Sequence, residues 1–159
     1  MSSHQTQTSP NRAAKKSPTA TMTLDLIDII LKDHKPIKKL IKIMKDEDAS
    51  FEEKKDAFEE FAPTLKSHAV PEEKTFYVRM KEDKDTALYG LEGDVEHRLA
   101  DQLCEELKRE RNKEMFTAKV KVLAELVKHH IEEEEDDMLP DFKKDSSADE
   151  RSELGQLYL

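Results

Sequence analysis

The chain has 159 residues and a formal net charge of −9, with 40% charged and 36% hydrophobic residues. That length suits one domain with a real core, and so acidic a chain repels phosphate backbones and anionic lipid, so we expect no nucleic-acid or membrane partner. The single cysteine, Cys104, excludes an internal disulfide framework, and neither a membrane-spanning apolar run nor a signal-peptide core is present, so we expect a cytoplasmic protein.

The first half of the chain predicts a tail and two helices. Residues 1–22 are rich in Ser, Thr, Pro and Lys, with little to bury, and predict a disordered tail. Thr23 is placed to cap a first helix, because apolar residues recur at helical spacing from residue 24 to about residue 46. A capping box of Ser50 and Glu53 begins a second helix, which extends to about residue 81 and holds two prolines in its interior.

The second half predicts two more long helices and a short one. The third helix runs from Thr86 to Arg109, with Leu88 in its apolar stripe. Asn112 marks a turn, and a fourth helix follows it to Pro140, which we expect to end that helix. A short final element begins at residue 147, where a serine and the glutamate three residues later match a second capping box.

Four long helices joined by breaks of a few residues predict an all-α fold. Short connections make consecutive helices antiparallel neighbours, so the expected architecture is an up-down-up-down antiparallel four-helix bundle. We place the disordered tail at residues 1–22, the bundle at residues 23–145 and a short C-terminal helical extension at residues 146–159.

Polar residues interrupt the apolar stripes in a regular way. Each of the four helices carries one histidine within its stripe, and two of these histidines are followed four residues later by a glutamate. The six residues are His34, His68, Glu72, His97, His130 and Glu134. The first two histidines are 34 residues apart and the last two 33, so the same pattern occurs twice. Residues four apart share a helix face, so we expect all six side chains to point inward.

Buried carboxylates are costly unless they are paired or bound to a metal ion. Two of them beside four imidazoles therefore predict a metal site, and six ligands are more than one tetrahedral ion needs. Because carboxylates can bridge, the natural occupant is a pair of ions. Mixed imidazole and carboxylate ligation favours two iron ions, with zinc or manganese as alternatives.

Four segments of the chain resemble a known family. In order, "KDHKPIKKL", "HAVPEEKTFY", "VEHRLADQL" and "HHIEEEEDDMLP" are similar to the four helices of the bacterial hemerythrin-like (HHE cation-binding) domain, over residues 24–140. The resemblance implies a non-haem di-iron site in a four-helix bundle, with the six residues above as ligands and Glu72 and Glu134 as bridges. It also implies a protein that binds, senses or reduces a small oxidant, which is dioxygen, nitric oxide or peroxide.

The chain differs from the oxygen-carrying hemerythrins in two features. Those proteins have a second histidine on the third helix, one turn from the first, and an aspartate five residues after the last histidine. Here the positions one turn from His97 are Gly93 and Asp101, and Glu134 follows His130 by four residues. The chain therefore resembles the HHE branch rather than the oxygen carriers.

Several other side chains have simpler interpretations. His129 lies off the stripe and is expected to be exposed, although it repeats the i+4 spacing with Glu133 and so competes with His130. Tyr77 and Tyr89 are expected to pack at the bundle surface, with a role as hydrogen-bond donors or outer ligands of the site as the alternative. The lone cysteine is expected to be a buried, inert thiol. We expect a mainly solvated acidic face formed by Glu132, Glu133, Glu135, Asp136 and Asp137.

Two other functional classes need comparison with the di-iron interpretation. A ferritin-like oxidase would carry Glu-x-x-His pairs, but none of the four core histidines has a glutamate three residues before it, so this class is set aside. The alternative that stays open is a metal-free or structural helical interaction module, whose polar core fixes helix register.

We expect a metal-binding sensor or carrier rather than a dedicated enzyme. The oligomeric state stays open, as does the role of the "LGQLYL" segment in capping the bundle or binding a partner protein.

Overall fold

The computed structural model describes residues 24–159. The predicted tail at residues 1–22 and the predicted cap Thr23 lie outside the described residues. Within the described range the chain is helical apart from short connections, which confirms the all-α prediction. None of the helices in this range is both long enough and apolar enough to cross a membrane.

Residues 24–159 form seven α-helices and one π-helical segment. In chain order these are α1 (Leu26–Lys45), α2 (Phe51–Lys74), α3 (Phe76–Glu82), α4 (Ala87–Arg109), α5 (Lys113–Glu133), the π segment (Glu134–Met138), α6 (Leu139–Asp145) and α7 (Ala148–Tyr158). The four long helices α1, α2, α4 and α5 form the bundle. Helices α3 and α6 continue α2 and α5 beyond short irregularities, and α7 packs on α1 and α2.

The four long helices are arranged as the predicted antiparallel bundle. Helix α1 packs against α2 and α5, and α4 packs against α5 and α3, while contact between α2 and α4 is sparser. Each long helix is therefore a neighbour of the helices before and after it in the chain, which is the ring of an up-down-up-down bundle. The last bundle helix ends at Asp145. The division of the chain into domains stays a prediction.

Side-chain caps set the starts of three of the four long helices, α1, α2 and α5. Asp25 accepts a hydrogen bond from a first-turn N–H, so α1 begins at Leu26 rather than at residue 24. The capping box of Ser50 and Glu53 forms as predicted, with both of its hydrogen bonds present. Asn112 caps α5 through its side-chain oxygen. Polar residues before each apolar stripe therefore determine where these helices begin.

Helix α7 is capped in a simpler way than predicted. Ser147 accepts a hydrogen bond from the N–H of Glu150 at 3.1 Å. The Glu150 carboxylate does not complete a capping box, because it pairs with Arg79 of α3 instead. This ion pair connects α7 to the bundle.

The second predicted helix is broken away from its prolines, and the predicted helix end at Pro140 is wrong. Helix α2 runs through Pro63 and Pro71 and ends at Lys74, and the break falls at Thr75, whose φ of −122° and ψ of −75° are not helical. Pro140 does not end the fourth helix. It is the second residue of α6, directly after the π segment, and the helical chain continues past it to Asp145.

Helix α4 carries a second apolar stripe that faces outward. Leu88, predicted to be buried, is 67% exposed, and Leu91, Val95 and Leu99 are also exposed. These residues are three or four positions apart and share one face of the helix. The prediction for Leu88 is wrong because apolar spacing alone does not identify which of two stripes faces the core.

The buried core divides into two apolar clusters. The larger includes Phe61 and Ile37, and the smaller includes Phe76 and Ile30. Along α1, His34 lies between Ile30 and Ile37 and therefore at the boundary of the clusters. The layer of buried histidines and glutamates thus has apolar packing on both sides, which separates it from bulk water.

Candidate metal centre

All six residues predicted as metal ligands are buried and meet at one level of the bundle. They form two overlapping groups of four. The groups are His34, His68, Glu72 and Glu134, and Glu72, His97, His130 and Glu134. Each residue of a group offers one potential ligand atom, and the four atoms all lie within 4.8 Å of one another. Because both glutamates belong to both groups, two adjacent cation positions would be joined by two carboxylates.

Several atoms that face this centre lack hydrogen-bond partners. Glu72 and Glu134 are 0% exposed. Within the described part of the chain, five of the buried side-chain atoms make no hydrogen bond: His34 Nε2, His68 Nε2, Glu72 Oε1, Glu72 Oε2 and Glu134 Oε2. Unpaired buried polar atoms are uncommon and destabilising. All five can donate a lone pair to a metal ion, so the residues present fit a bound cation.

Each histidine has an acidic side chain beside its other ring nitrogen. The Nδ1–carboxylate distances are 2.9 Å for His34 and Glu135, 3.4 Å for His68 and Asp33, 2.9 Å for His97 and Glu73, and 3.5 Å for His130 and Glu96. A carboxylate at Nδ1 favours the proton on that nitrogen, fixes the ring orientation and leaves the Nε2 lone pair for a metal. The four imidazoles are therefore oriented for binding through Nε2.

The four orienting acids were missed from the sequence, although they follow the internal repeat. Asp33 and Glu96 directly precede the first histidine of each half, and Glu73 and Glu135 directly follow the site glutamates. Each half therefore carries an acid–His pair and then His-x-x-x-Glu-Glu, and this adjacency was the available signal. The predicted solvated face is wrong for Glu135, which is 23% exposed and also pairs with Lys38 at 2.6 Å.

Helix geometry near the site glutamates departs from a regular α-helix in both halves. Glu134 begins the π segment, and the Thr75 break follows Glu72 by three residues. A π-helical segment adds a residue to the turn and changes the direction of the side chains after it. Glu134 keeps the regular four-residue spacing from His130 and faces the centre, while the next residue, Glu135, lies within the π segment and reaches His34.

Tyr77 lies in the centre and not at the bundle surface, so its predicted position is wrong. It is fully buried, and its hydroxyl donates to Glu134 and lies 2.8 Å from His130 Nε2 and 3.1 Å from His97 Nε2. The ring fits because position 93 is a glycine. A Cβ on Gly93 would lie 2.5 Å from Tyr77 Cζ. Gly93 thus makes room for this phenol.

Protons neutralise part of the buried charge when no metal is bound. Burial lowers the pKa of His68, but the negative charge of Glu72 and the hydrogen-bonding contact of the imidazole with the Asp33 carboxylate outweigh it and raise the pKa to about 10. Burial likewise opposes protonation of His130, yet the Glu134 carboxylate raises the pKa of this imidazole well above its ordinary value. A metal ion must therefore displace protons from this centre.

A cavity of about 440 Å³ between α2 and α4 opens toward the centre. His97 and Glu73 line it, and Lys66 and Arg98 lie among its charged residues. Cys104 also lines the cavity, and burial raises the pKa of its thiol to about 11, which keeps it neutral near pH 7. The sparse packing between these two helices leaves a path from solvent to one histidine.

The first histidine of the "HH" pair, His129, points away from the centre. Its side chain is 74% exposed and lies 4.0 Å from Glu133. This confirms the predicted exposure. Of the two adjacent histidines, only His130 joins the buried groups.

Comparison with known proteins gives one result that covers most of the chain. A family model described as the hemerythrin HHE cation binding domain matches residues 25–142. No curated protein and no solved structure matches the chain. The matched segment begins at the cap of α1, ends within α6 and includes all six converging residues. The chain therefore belongs to the hemerythrin HHE cation-binding domain family.

Proposed function

We propose that this protein binds two iron ions in the bundle core and uses them to bind, sense or reduce a small oxidant. The proposed ligands are His34, His68, Glu72, His97, His130 and Glu134. The observation that carries the proposal is the sharing of both glutamates by two groups of four buried ligands. A single ion would leave half of these histidines without a partner, whereas two ions bridged by the glutamates engage all of them.

Ligand chemistry favours iron for these positions. Imidazole and carboxylate together suit iron, and they also suit zinc and manganese, so ligand type alone leaves a choice among transition metals. The family relationship and the mixed ligand set support iron. When bound, iron supplies reversible one-electron oxidation and open coordination positions for a small molecule.

The protein's own residues hold, orient and isolate the centre. The histidines present Nε2, and the four acids at Nδ1 fix the rings and raise the basicity of the ligand nitrogen. The two apolar clusters keep bulk water away, which strengthens electrostatic interactions inside the centre. The cavity beside His97 is the proposed route for a small oxidant.

Tyr77 is a candidate seventh ligand at the group that contains His97 and His130. In the metal-free protein, burial and the charges of Glu72 and Glu134 raise the pKa of this phenol well above its ordinary value. A nearby metal ion inverts that balance by favouring the deprotonated ligand. We therefore propose that Tyr77, after loss of its proton, would help to hold iron(III) beside His97 and His130.

Replacing Tyr77 with phenylalanine tests this ligand directly. The iron(III) form of the unaltered protein is expected to show a visible phenolate-to-iron absorption band, and Tyr77→Phe is expected to lose the band while retaining both irons. Tyr89→Phe is the matched control, because Tyr89 packs only at the edge of the smaller cluster. Visible spectra that are identical in all three proteins would show that Tyr77 does not bind the metal.

The functional proposal is tested by mixing reduced, iron-loaded protein with each small oxidant separately under anaerobic control. We expect at least one of dioxygen, nitric oxide and peroxide to change the optical spectrum rapidly. A change that reverses when the molecule is removed would indicate carriage or sensing, and steady consumption of peroxide would indicate reduction. No spectral change with any of the three would contradict the proposal.

A second role, in protein–protein contact, is supported by the outward stripe of α4. Leu88, Leu91, Val95 and Leu99 are exposed on one helix face. Contiguous exposed apolar surface is characteristic of interaction sites. This observation favours an interaction module, and that role needs no metal.

A further inference from the structure

Helix α7 lies outside the matched family segment but is fixed firmly to the bundle. Arg151 pairs with Asp25, the cap of α1, at 2.8 Å. Gly155 passes so close to the start of the described chain that a Cβ there would lie 2.1 Å from the Leu24 carbonyl oxygen. Only a residue without a side chain allows this approach, so the position of α7 over α1 and α2 is well defined.

Near its end, α7 brings a tyrosine to the metal centre. The Tyr158 hydroxyl donates to Asp33 Oδ2 at 2.6 Å and lies 2.9 Å from His68 Nδ1. The direct distance from His68 Nδ1 to Asp33 is longer, at 3.4 Å. The imidazole N–H of His68 therefore donates to the phenol oxygen, whose O–H donates to the carboxylate. Tyr158 connects a residue of the centre to its orienting acid across 90 positions of sequence.

The internal repeat offers a comparison within the same molecule. His130 occupies the equivalent position in the second half, and its Nδ1 lies 3.5 Å from Glu96. In the described residues no tyrosine hydroxyl joins that pair. The two halves are therefore unequal: His68 Nδ1 lies 2.9 Å from the hydroxyl oxygen of α7, whereas His130 Nδ1 lies 3.5 Å from the Glu96 carboxylate.

We propose that Tyr158 is a positioning residue for the metal ion held by His34, His68, Glu72 and Glu134, and that docking of α7 is coupled to metal binding there. This inference rests on the proposed function. Loss of an orienting partner lowers metal affinity by about 10–100-fold in comparable sites. Coupling between two binding events is reciprocal, so metal at this position must stabilise the docked α7 by the same factor.

Release of iron(II) to a chromogenic chelator under anaerobic conditions tests the positioning role. Tyr158→Phe keeps the ring and removes only the hydroxyl. One of the two irons is expected to leave about 10–100-fold faster in this variant, with the second unchanged. Asp33→Asn, which interrupts the same hydrogen bonds from the other side, should give the same biphasic release. Tyr89→Phe should release iron as the unaltered protein does.

A different result is expected if Tyr158→Phe acts only by weakening the packing of α7 and so destabilising the whole bundle. It would speed the release of both irons together, whereas positioning affects one. Glu96→Gln extends the comparison, because it removes the orienting acid of His130 and should loosen the other iron. Combining Tyr158→Phe with Glu96→Gln should make both irons leave rapidly.

Hydrogen exchange of α7 tests the reciprocal effect without any activity measurement. Iron is expected to slow amide exchange in residues 148–158 of the unaltered protein by about tenfold, in keeping with the coupling above. The effect should be absent in Tyr158→Phe. If the unaltered protein and Tyr158→Phe release iron equally fast and show equal amide exchange in α7, the inference about Tyr158 is wrong, but the proposed function is not affected. Absence of metal from unaltered protein loaded in the same way would overturn the proposed function and this inference with it.

Discussion

Glu72→Gln is expected to remove both metal ions rather than one. The amide keeps the shape of the side chain but loses the charge of a carboxylate that belongs to both ligand groups. Since changes to orienting residues alone lower metal affinity by about 10–100-fold, loss of a shared ligand should lower the affinity of each ion by more than about 100-fold. Metal content after dialysis against a weak chelator measures the result.

Two variants control this experiment. Glu59→Gln makes the same chemical change at an exposed position of α2 and should retain both ions. His97→Ala removes a ligand from only one group and should affect one ion first. Circular dichroism establishes that each variant is helical. A Glu72→Gln protein that is folded and still holds one ion tightly would show that Glu72 does not serve both positions.

Removing the metal is expected to lower the melting temperature substantially. A ligand present at 1,000 times its dissociation constant stabilises the native state by about 4.1 kcal/mol per site. For a protein of this size that corresponds to roughly 10 °C for the first site alone. Thermal unfolding with and without a strong chelator measures the difference. Equal melting temperatures throughout would mean that the core does not bind metal in its native state.

The metal-loaded and metal-free proteins should respond to pH in opposite directions. In the loaded protein, protons compete with metal for the imidazoles, so metal affinity and stability fall as pH falls through the histidine range. In the metal-free protein, His68 has a pKa raised from 6.5 to about 10. Its contribution to stability is therefore complete below pH 6.5 and is lost as pH rises toward 10. His130 contributes in the same direction.

Melting curves between pH 5.5 and pH 10 distinguish these two trends. His129→Gln serves as the control, because this histidine is exposed and lies outside the buried groups. It should leave both trends unchanged. A metal-free protein that becomes more stable as pH rises across this window would contradict the protonation assigned to His68.

The six converging residues were predictable because helical spacing is a local property. A histidine within an apolar stripe faces the core, and a glutamate four residues later shares that face, whatever the neighbouring helices do. The twofold repeat then placed the two halves at one level. The inward direction of these six side chains is therefore independent of the contacts between helices.

The remaining residues of the centre depend on irregular or distant structure. Tyr77 follows the break at Thr75, which changes the direction of the next helix relative to α2. Glu135 reaches His34 through a π segment, whereas regular α-helical spacing would turn it away from Glu134. Tyr158 comes from a short helix that meets His68 only in the folded chain. None of these positions follows from periodicity.

The most direct test of the central claim is the metal content of purified native protein, measured together with its optical spectrum after reduction and after exposure to air. The account predicts two irons per chain, with near-ultraviolet charge-transfer absorption that appears on oxidation. A folded, helical protein that contains no metal and takes up none when iron(II) is supplied would contradict it, and would favour a helical interaction module.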